Sequence, residues 1–273
     1  KFGNKLWNAA KYIEINSSEE IDFNIELSKI PENIWIVNKF NDVTKEFDRL
    51  MEEYKISDAY DVLYSFLWSE LFDWYFEFTK NIFKENKESL ETQAVLREIF
   101  LQSLKLLNPA MPFVTEELWE KLGGDGLLIN SKWPESIGIL DKSSEEIELI
   151  KYFVSSIRNF RVDHSLKFSE ELELISFSKL PDEWQINQIS SLSKTAVIEG
   201  KEEKEKKYTS FSFGDVTLNV DISASIDIES EKKRILSKIK ESEKSLLISK
   251  ERLENKKFIE NAKEQLIDQE KRN

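Results

Sequence analysis

Apolar residues recur at helical spacing through most of the first 165 residues. Because an α-helix has 3.6 residues per turn, positions three or four apart share one face and predict amphipathic helices. One such stripe lies near the start of the chain, a second follows Pro31, and a third helix runs from about residue 57 to Lys84. The third has the longest stripe, which consists of Leu63, Leu67, Leu71, Trp74, Phe78 and Ile82. Aromatic residues also occupy its other faces, so we expect this helix to lie at the centre of a bundle.

Three further helical segments complete this region. The first spans about Thr92–Leu107, the second starts at Pro112 and stops at Gly123-Gly124, and the third spans about Ser144–Phe160. Proline suits the first turn of a helix and glycine favours its end. The pattern therefore predicts a mainly α fold, with a helical bundle over residues 1–165.

The pattern changes after Leu166 from helical spacing to clustered and alternating β-forming residues. Four strands are predicted, at Glu171–Phe177, Thr195–Ile198, Tyr208–Phe213 and Val216–Ile222. Gly214-Asp215 suits a hairpin turn between the last two. A short helix should precede the second strand and end near Lys194. Residues 166–226 are thus predicted to form a small α+β subdomain.

A highly charged helical pattern occupies residues 227–273. Its apolar seam is narrow, with Ile235, Ile239, Leu246 and Leu253 separated by serines. A seam of this width can pair with one partner helix but cannot anchor a globular core. A break near residues 255–257 precedes a second amphipathic stretch, so we expect an antiparallel helical hairpin, called the arm below.

Composition excludes several classes of chemistry. The chain has no cysteine, one histidine (His164) and 7 glycines, and the glycines form neither a P-loop nor a dinucleotide-binding loop. Thiolate metal sites, disulfides and two-histidine mechanisms are therefore excluded. No apolar run approaches the ~20 residues of a membrane span. We find no catalytic residues or cofactor site, and we expect a soluble cytoplasmic protein that does not bind membranes.

Charge is distributed unevenly along the chain, whose net charge is −13. Residues 229–273 carry 13 Lys and Arg against 10 Asp and Glu, whereas residues 1–165 carry 19 against 30. Long cationic side chains on a protruding arm are suited to contact nucleic-acid phosphates. The candidates there are Lys232, Lys233, Arg234, Lys238, Lys240, Lys244, Lys250, Arg252, Lys256 and Lys257. An ordinary protein–protein coiled coil is the alternative interpretation.

Five segments, in the same order, resemble the valyl-tRNA synthetase family of class I aminoacyl-tRNA synthetases. They are KFGNKLWNAA (1–10), LWSELFDWY (67–75), LNPAMPFVTEELW (107–119), IRNFR (157–161) and the stretch 255–265 with its Phe258, Ile259 and Ala262. The isoleucyl relative typically ends in a cysteine-bearing zinc module, and the leucyl relative in a different small domain. The valyl branch therefore fits best. The sequence departs from the family at Asn108, Ala110 and Lys263.

The resemblance implies that the bundle binds the anticodon stem and loop of valine tRNA. It places the first helix on that side, with Asn4, Lys5, Asn8 and Lys11 as candidates. It implies that the arm rests on the outer corner of the tRNA and that the protein is monomeric and does not bind DNA. The adenylation motifs of the family are absent, so we interpret the chain as a C-terminal portion of the enzyme. ATP and magnesium would then belong to the missing catalytic part.

Two alternatives remain open at this stage. The chain could be the equivalent region of an isoleucyl- or leucyl-tRNA synthetase, which would differ in the tRNA preferred. It could also be a freestanding helical interaction protein that uses the arm to bind another protein. Self-association through residues 229–273 without any tRNA binding would favour the second alternative.

Overall fold

The computed structural model of the chain describes residues 1–18, 21, 24–25, 28–138, 145–223 and 228–254. The described residues are 63% helical and include a small four-stranded mixed sheet. The mainly α fold class predicted from the sequence is therefore confirmed. None of the described helices combines the length and the apolar composition that a membrane span requires.

The helices and strands have the following bounds. The α-helices described are α1 (Phe2–Ile15), α2 (Pro31–Glu52), α3 (Ile56–Ser65), α4 (Phe76–Glu85), α5 (Leu90–Leu107), α6 (Pro112–Lys121), α7 (Glu145–Asp163), α8 (Glu183–Ser193) and α9 (Ile228–Glu254). The strands are β1 (Leu172–Ser176), β2 (Thr195–Glu199), β3 (Tyr208–Phe213) and β4 (Val216–Asp221). A π-helical segment, Phe66–Tyr75, joins α3 to α4, and a 3₁₀ turn, Leu128–Asn130, follows α6.

A continuous helical rod made of α3, the π-helical segment and α4 lies at the centre of the bundle. Leu63, Leu67, Leu71 and Phe78 are fully buried, as the stripe predicted. The π-helical hydrogen bonds, from each residue to the fifth one along, were not predicted. Several sides of the segment face the core, because residues off the stripe such as Tyr75 are also buried.

Helix α2 packs antiparallel to this rod. Rings pair along its length, Trp35 with Phe78, Phe40 with Phe66 and Phe47 with Tyr60, at centroid distances of 5.9, 5.9 and 5.3 Å. Residues later in α2 pair with residues earlier in the rod, so the two run in opposite directions. Aromatic pairs at these distances stabilise the core beyond the area they bury.

Helix α1 packs parallel to the rod. It buries Leu6, Ala9, Ala10 and Ile13, the predicted face. Its first residue Phe2 pairs with Tyr64, and Tyr12 near its end pairs with Phe76. The opposite face of α1 is thereby left to solvent.

The sheet has the strand order β2-β1-β4-β3. Strands β1 and β2 are parallel and are connected through α8, whereas β3 and β4 form an antiparallel hairpin. Gly214 takes a φ of +57° in the hairpin turn, a value that glycine adopts without steric cost. All four predicted strands are present.

Helix α7 joins the sheet to the bundle. The Arg161 guanidinium donates to the carbonyl oxygens of Lys167, Glu170 and Lys194, at 3.1, 2.8 and 2.7 Å. Arg161 is only 3% exposed. The nearby Arg158 donates through two nitrogens to the carbonyl of Leu192, at the end of α8. Both arginines belong to the segment IRNFR.

Helix α9 confirms the first half of the predicted arm. Its Leu236, Ile239 and Leu246 are between 44 and 49% exposed, whereas Ser249 is buried. The second predicted helix of the arm, after residue 254, lies outside the described residues. The proposed division into three domains stays a prediction.

Candidate RNA-binding surfaces

The four candidates predicted on the first helix all lie on α1. Asn4, Asn8 and Lys11 are exposed and share one stripe, since they are four and three residues apart. Lys5 is one position off this stripe and only partly exposed. The structure thus offers two amides and one ammonium group to solvent along a single helix face. Such groups can donate hydrogen bonds to phosphate oxygens.

Lys5 has partners within the protein. Its Nζ lies 2.7 Å from the Asp73 Oδ1 and 3.7 Å from the ring centroid of Trp68. The ammonium group is therefore held between a carboxylate and an aromatic face on the π-helical segment. A cation so held is fixed in position, and its charge is partly compensated by Asp73.

Aromatic rings continue from this point along the surface of the rod. Trp68 stacks on Tyr64 with centroids 5.7 Å apart and planes inclined by 22°, and Phe2 packs against the same tyrosine at 4.9 Å. Tyr64 is 44% exposed. For the aromatic cluster Trp68–Phe78 the sequence favours core packing over a platform for stacking bases. Phe72, Tyr75, Phe76 and Phe78 are buried, in agreement with core packing, and the exposed Tyr64 lies outside that cluster.

Two aromatic side chains project almost completely into solvent at turns of the bundle. Tyr54 is 89% exposed in the turn between α2 and α3, and Phe113 is 91% exposed at the start of α6. Tyr54 also has a φ of +59°, which is uncommon for a bulky residue. Exposed rings of this kind can stack on unpaired bases. Neither residue was a sequence candidate, because helical periodicity does not distinguish a half-exposed from a fully exposed ring.

The two turns lie at the same end of the bundle. Helix α5 starts beside the start of α2, where the Asn33 side chain contacts Glu91 and Thr92. Further along, Phe100 reaches Phe72 in the rod, so α5 runs in the same direction as α2. Tyr54 and Phe113 therefore lie at the bundle end remote from Pro31. The start of α1 is at that end too.

The arm candidates that the structure describes are exposed on α9. These are Lys232, Lys233, Lys240, Lys244 and Lys250. For Arg234, Lys238 and Arg252 only the backbone is described, and Lys256 and Lys257 lie outside the described residues. In the part of the chain that the structure describes, no hydrogen bond, ion pair or ring contact joins the arm candidates to those on α1.

Among the described residues, no group of three or more acidic or histidine side chains is arranged to hold a metal ion.

Residues 33–176 match the family described as the anticodon-binding domain of tRNA ligase. The chain belongs to this anticodon-binding family.

Curated relatives extend the similarity over the whole anticodon-binding chain. It is 33% identical to the valine–tRNA ligase of Petrotoga mobilis, in an alignment that covers 100% of this chain and 33% of that protein. It is 30% identical to the valine–tRNA ligases of Thermotoga maritima and Streptomyces coelicolor, over 99% and 98% of this chain. The chain spans about a third of the length of these relatives.

A buried polar network fixes the start of α2 in the anticodon-binding chain. Glu32, 3% exposed, accepts a 2.7 Å hydrogen bond from the Gln188 amide of α8. Burial raises the pKa of Glu32 to about 6. Glu91 accepts from the backbone N–H groups of Lys29 and Ile30, both at 2.8 Å. The Glu32–Gln188 bond connects the bundle to the α+β subdomain, whereas the Glu91 contacts lie within the bundle. Helical periodicity gives no signal for either.

Proposed function

We propose that this chain is the tRNA-recognition part of a valine–tRNA ligase and that it binds valine tRNA. The observation that carries the proposal is the similarity to valine–tRNA ligases over essentially the full chain, including the arm. Anticodon-binding membership alone would not distinguish the valine tRNA from others.

Bases of the anticodon loop are proposed to stack at the bundle end where Tyr54 and Phe113 project. Single-stranded RNA is recognised mainly by stacking on aromatic rings and by hydrogen bonds to unpaired base edges. Asn4, Asn8 and Lys11 on α1 then contact the adjoining phosphates. These contacts set the orientation of the RNA, while hydrogen bonds to the edges of the stacked bases supply the selectivity.

The arm is proposed to make a second, sequence-independent contact. Its exposed lysines are spread along a helix of 27 residues, which is ~40 Å at 1.5 Å per residue. Binding at the bundle raises the effective concentration of the same tRNA at the arm. The arm thereby strengthens binding and fixes the position of the tRNA without reading its bases.

The remaining parts of the proposal concern the cellular context. The chain acts as a monomer in the cytoplasm, and it has no cofactor of its own. ATP and magnesium are used in the catalytic part of the ligase, which this chain does not contain. The role of the chain is then to position the tRNA for aminoacylation.

Titration of valine tRNA and an unrelated tRNA at two salt concentrations tests the proposal. We expect valine tRNA to bind more tightly, and both affinities to fall as salt rises because phosphate contacts release counterions. Phe113→Ala should weaken the binding of valine tRNA about fivefold or more, since one stacked base is worth ~1–3 kcal/mol. Val162→Ala is the matched control, because Val162 is 78% exposed on α7. Equal affinity for the two tRNAs, or equal effects of the two variants, would contradict the proposal.

A further inference from the structure

A polar cavity of about 580 Å³ opens where α4 meets α8. Lys84 and Glu85 line it from the bundle, and Glu171, Ser190, Ser191 and Lys194 line it from the α+β subdomain. Its volume lies within the range of small-molecule sites, but its lining is polar where such sites are mostly apolar. The lining therefore suits a highly polar ligand.

The two lysines of the cavity are available to a ligand. Lys84 and Lys194 are both exposed, and neither forms an ion pair with any residue that the structure describes. By contrast, Lys80, one turn before Lys84, is paired with Glu77. The cavity thus presents, from two different elements, two ammonium groups that form no ion pair among the described residues.

Lys194 occupies a backbone position that favours glycine. It ends α8 in the left-handed conformation, with φ and ψ both 55°, where glycine or asparagine is usual. Its carbonyl accepts from the buried Arg161 at 2.7 Å, which holds this conformation in place. A lysine here keeps a cationic side chain at the cavity despite the backbone strain.

The mixed lining favours a sugar–phosphate backbone over a free anion. The ammonium groups suit a phosphate, whereas Glu85 and Glu171 would repel a small anion that filled the same space. A ribose 2′-hydroxyl can donate to these carboxylates and accept from serine hydroxyls. An RNA strand supplies both kinds of group at adjacent positions.

Strand β4, which precedes the arm in sequence, ends on the side of the sheet that faces the cavity. Strands β1 and β2 begin beside the cavity, at Leu172 and Thr195, and these two residues are paired. Antiparallel β4 ends at this edge, because Val220 pairs with Leu174. Since β4 is two strands from β2, the chain leading to the arm leaves the sheet about 10 Å from β2.

We propose that this cavity binds the sugar–phosphate backbone of the tRNA, with Lys84 and Lys194 on phosphates. The inference rests on the proposed function. It adds a contact with the RNA backbone at the cleft between α4 and α8. It predicts that the tRNA passes the α4–α8 cleft on its way from the arm.

The test compares two double variants of the full chain by titration with valine tRNA over a range of salt. Lys84→Gln with Lys194→Asn removes both positive charges of the cavity, and asparagine tolerates the left-handed conformation. Lys179→Gln with Lys201→Gln is the control. These two exposed lysines follow the C-terminal ends of β1 and β2, whereas the cavity lies beside the N-terminal ends of the same strands. Circular dichroism establishes that both variants fold.

The cavity variant should bind valine tRNA several-fold more weakly than the control. The slope of log affinity against log salt should flatten by about 1.4–1.8, the value for two lost phosphate contacts. Equal slopes for the two variants would overturn the inference. If the affinity of the wild-type chain still depended on the anticodon in that case, the proposed function would stand although the cavity inference had failed. Failure of the wild-type chain to bind any tRNA would overturn both.

A second experiment compares inorganic phosphate with valine tRNA as a ligand of the cavity. NMR of the backbone amides of Ser191 and Thr195 is recorded during phosphate and valine tRNA titrations. We expect shifts with tRNA and none with phosphate below ~1 mM. Saturation by phosphate in that range would assign the cavity to a small anion and overturn the inference.

Discussion

Replacing Arg161 tests how firmly α7 holds the α+β subdomain. Its buried guanidinium donates to three backbone carbonyls, two in the segment before β1 and one at the end of α8. Arg161→Met keeps an apolar stem of similar length but leaves those carbonyls without this donor. An unsatisfied buried polar group costs ~1–3 kcal/mol, and three carbonyl oxygens lose this donor together. We therefore expect a loss of about 3–5 kcal/mol in the free energy of unfolding.

Arg158→Met is the matched control, since Arg158 is three residues earlier in the chain and donates to one carbonyl only. We expect it to cost about 1–2 kcal/mol. Urea denaturation followed by tryptophan fluorescence measures both. With a slope of ~3 kcal/mol per molar urea, Arg161→Met should lower the midpoint by ~1 M or more. Equal losses in the two variants, or a loss below 1 kcal/mol for Arg161→Met, would refute the conclusion that Arg161 is the main donor between α7 and the α+β subdomain.

Three further predictions concern stability. The pKa of Glu32 is raised from 4.5 to about 6, so the folded state binds more protons than the unfolded state between these pH values. The free energy of unfolding therefore falls by ~2 kcal/mol as pH rises through this window. In urea denaturation, the stability of Glu32→Gln relative to wild type should be higher at pH 7 than at pH 5. Gly124→Ala should destabilise by ~2 kcal/mol or more in the same assay, because an added Cβ would lie 2.2 Å from the Trp119 ring, whereas Gly3→Ala meets nothing within 4 Å and should cost little. Lys194→Gly should raise the thermal midpoint, since it relieves ~1 kcal/mol of left-handed strain, while it weakens binding of valine tRNA; an unchanged or lower midpoint would contradict the strain.

The helices and strands could be predicted because their signals are local. The stripe of Leu63, Leu67 and Leu71 and the proline at the start of α2 depend on residues close in sequence. The hairpin turn at Gly214 does so too. The predicted helix over the rod was correct in extent. Its π-helical segment was missed, because the run Phe66–Tyr75 is apolar on several faces and fits either helical geometry.

The candidate surfaces were predictable only in part. The exposed stripe on α1 follows from spacing together with the family resemblance. The pairing of Lys5 with Asp73 joins residues 68 positions apart, and no local pattern encodes such a distance. The exposure of Phe113 and the cavity around Lys194 also depend on how separate elements pack.

Anticodon dependence is the most direct test of the account. The affinity of the chain for valine tRNA is compared with its affinity for the same tRNA carrying a swapped anticodon, at one salt concentration. All phosphates are retained in this comparison, so any difference reports base recognition alone. The account predicts a loss of about tenfold or more on the swap, and Phe113→Ala should reduce that difference. Equal affinity for the two tRNAs would contradict the assignment of the bundle to the anticodon.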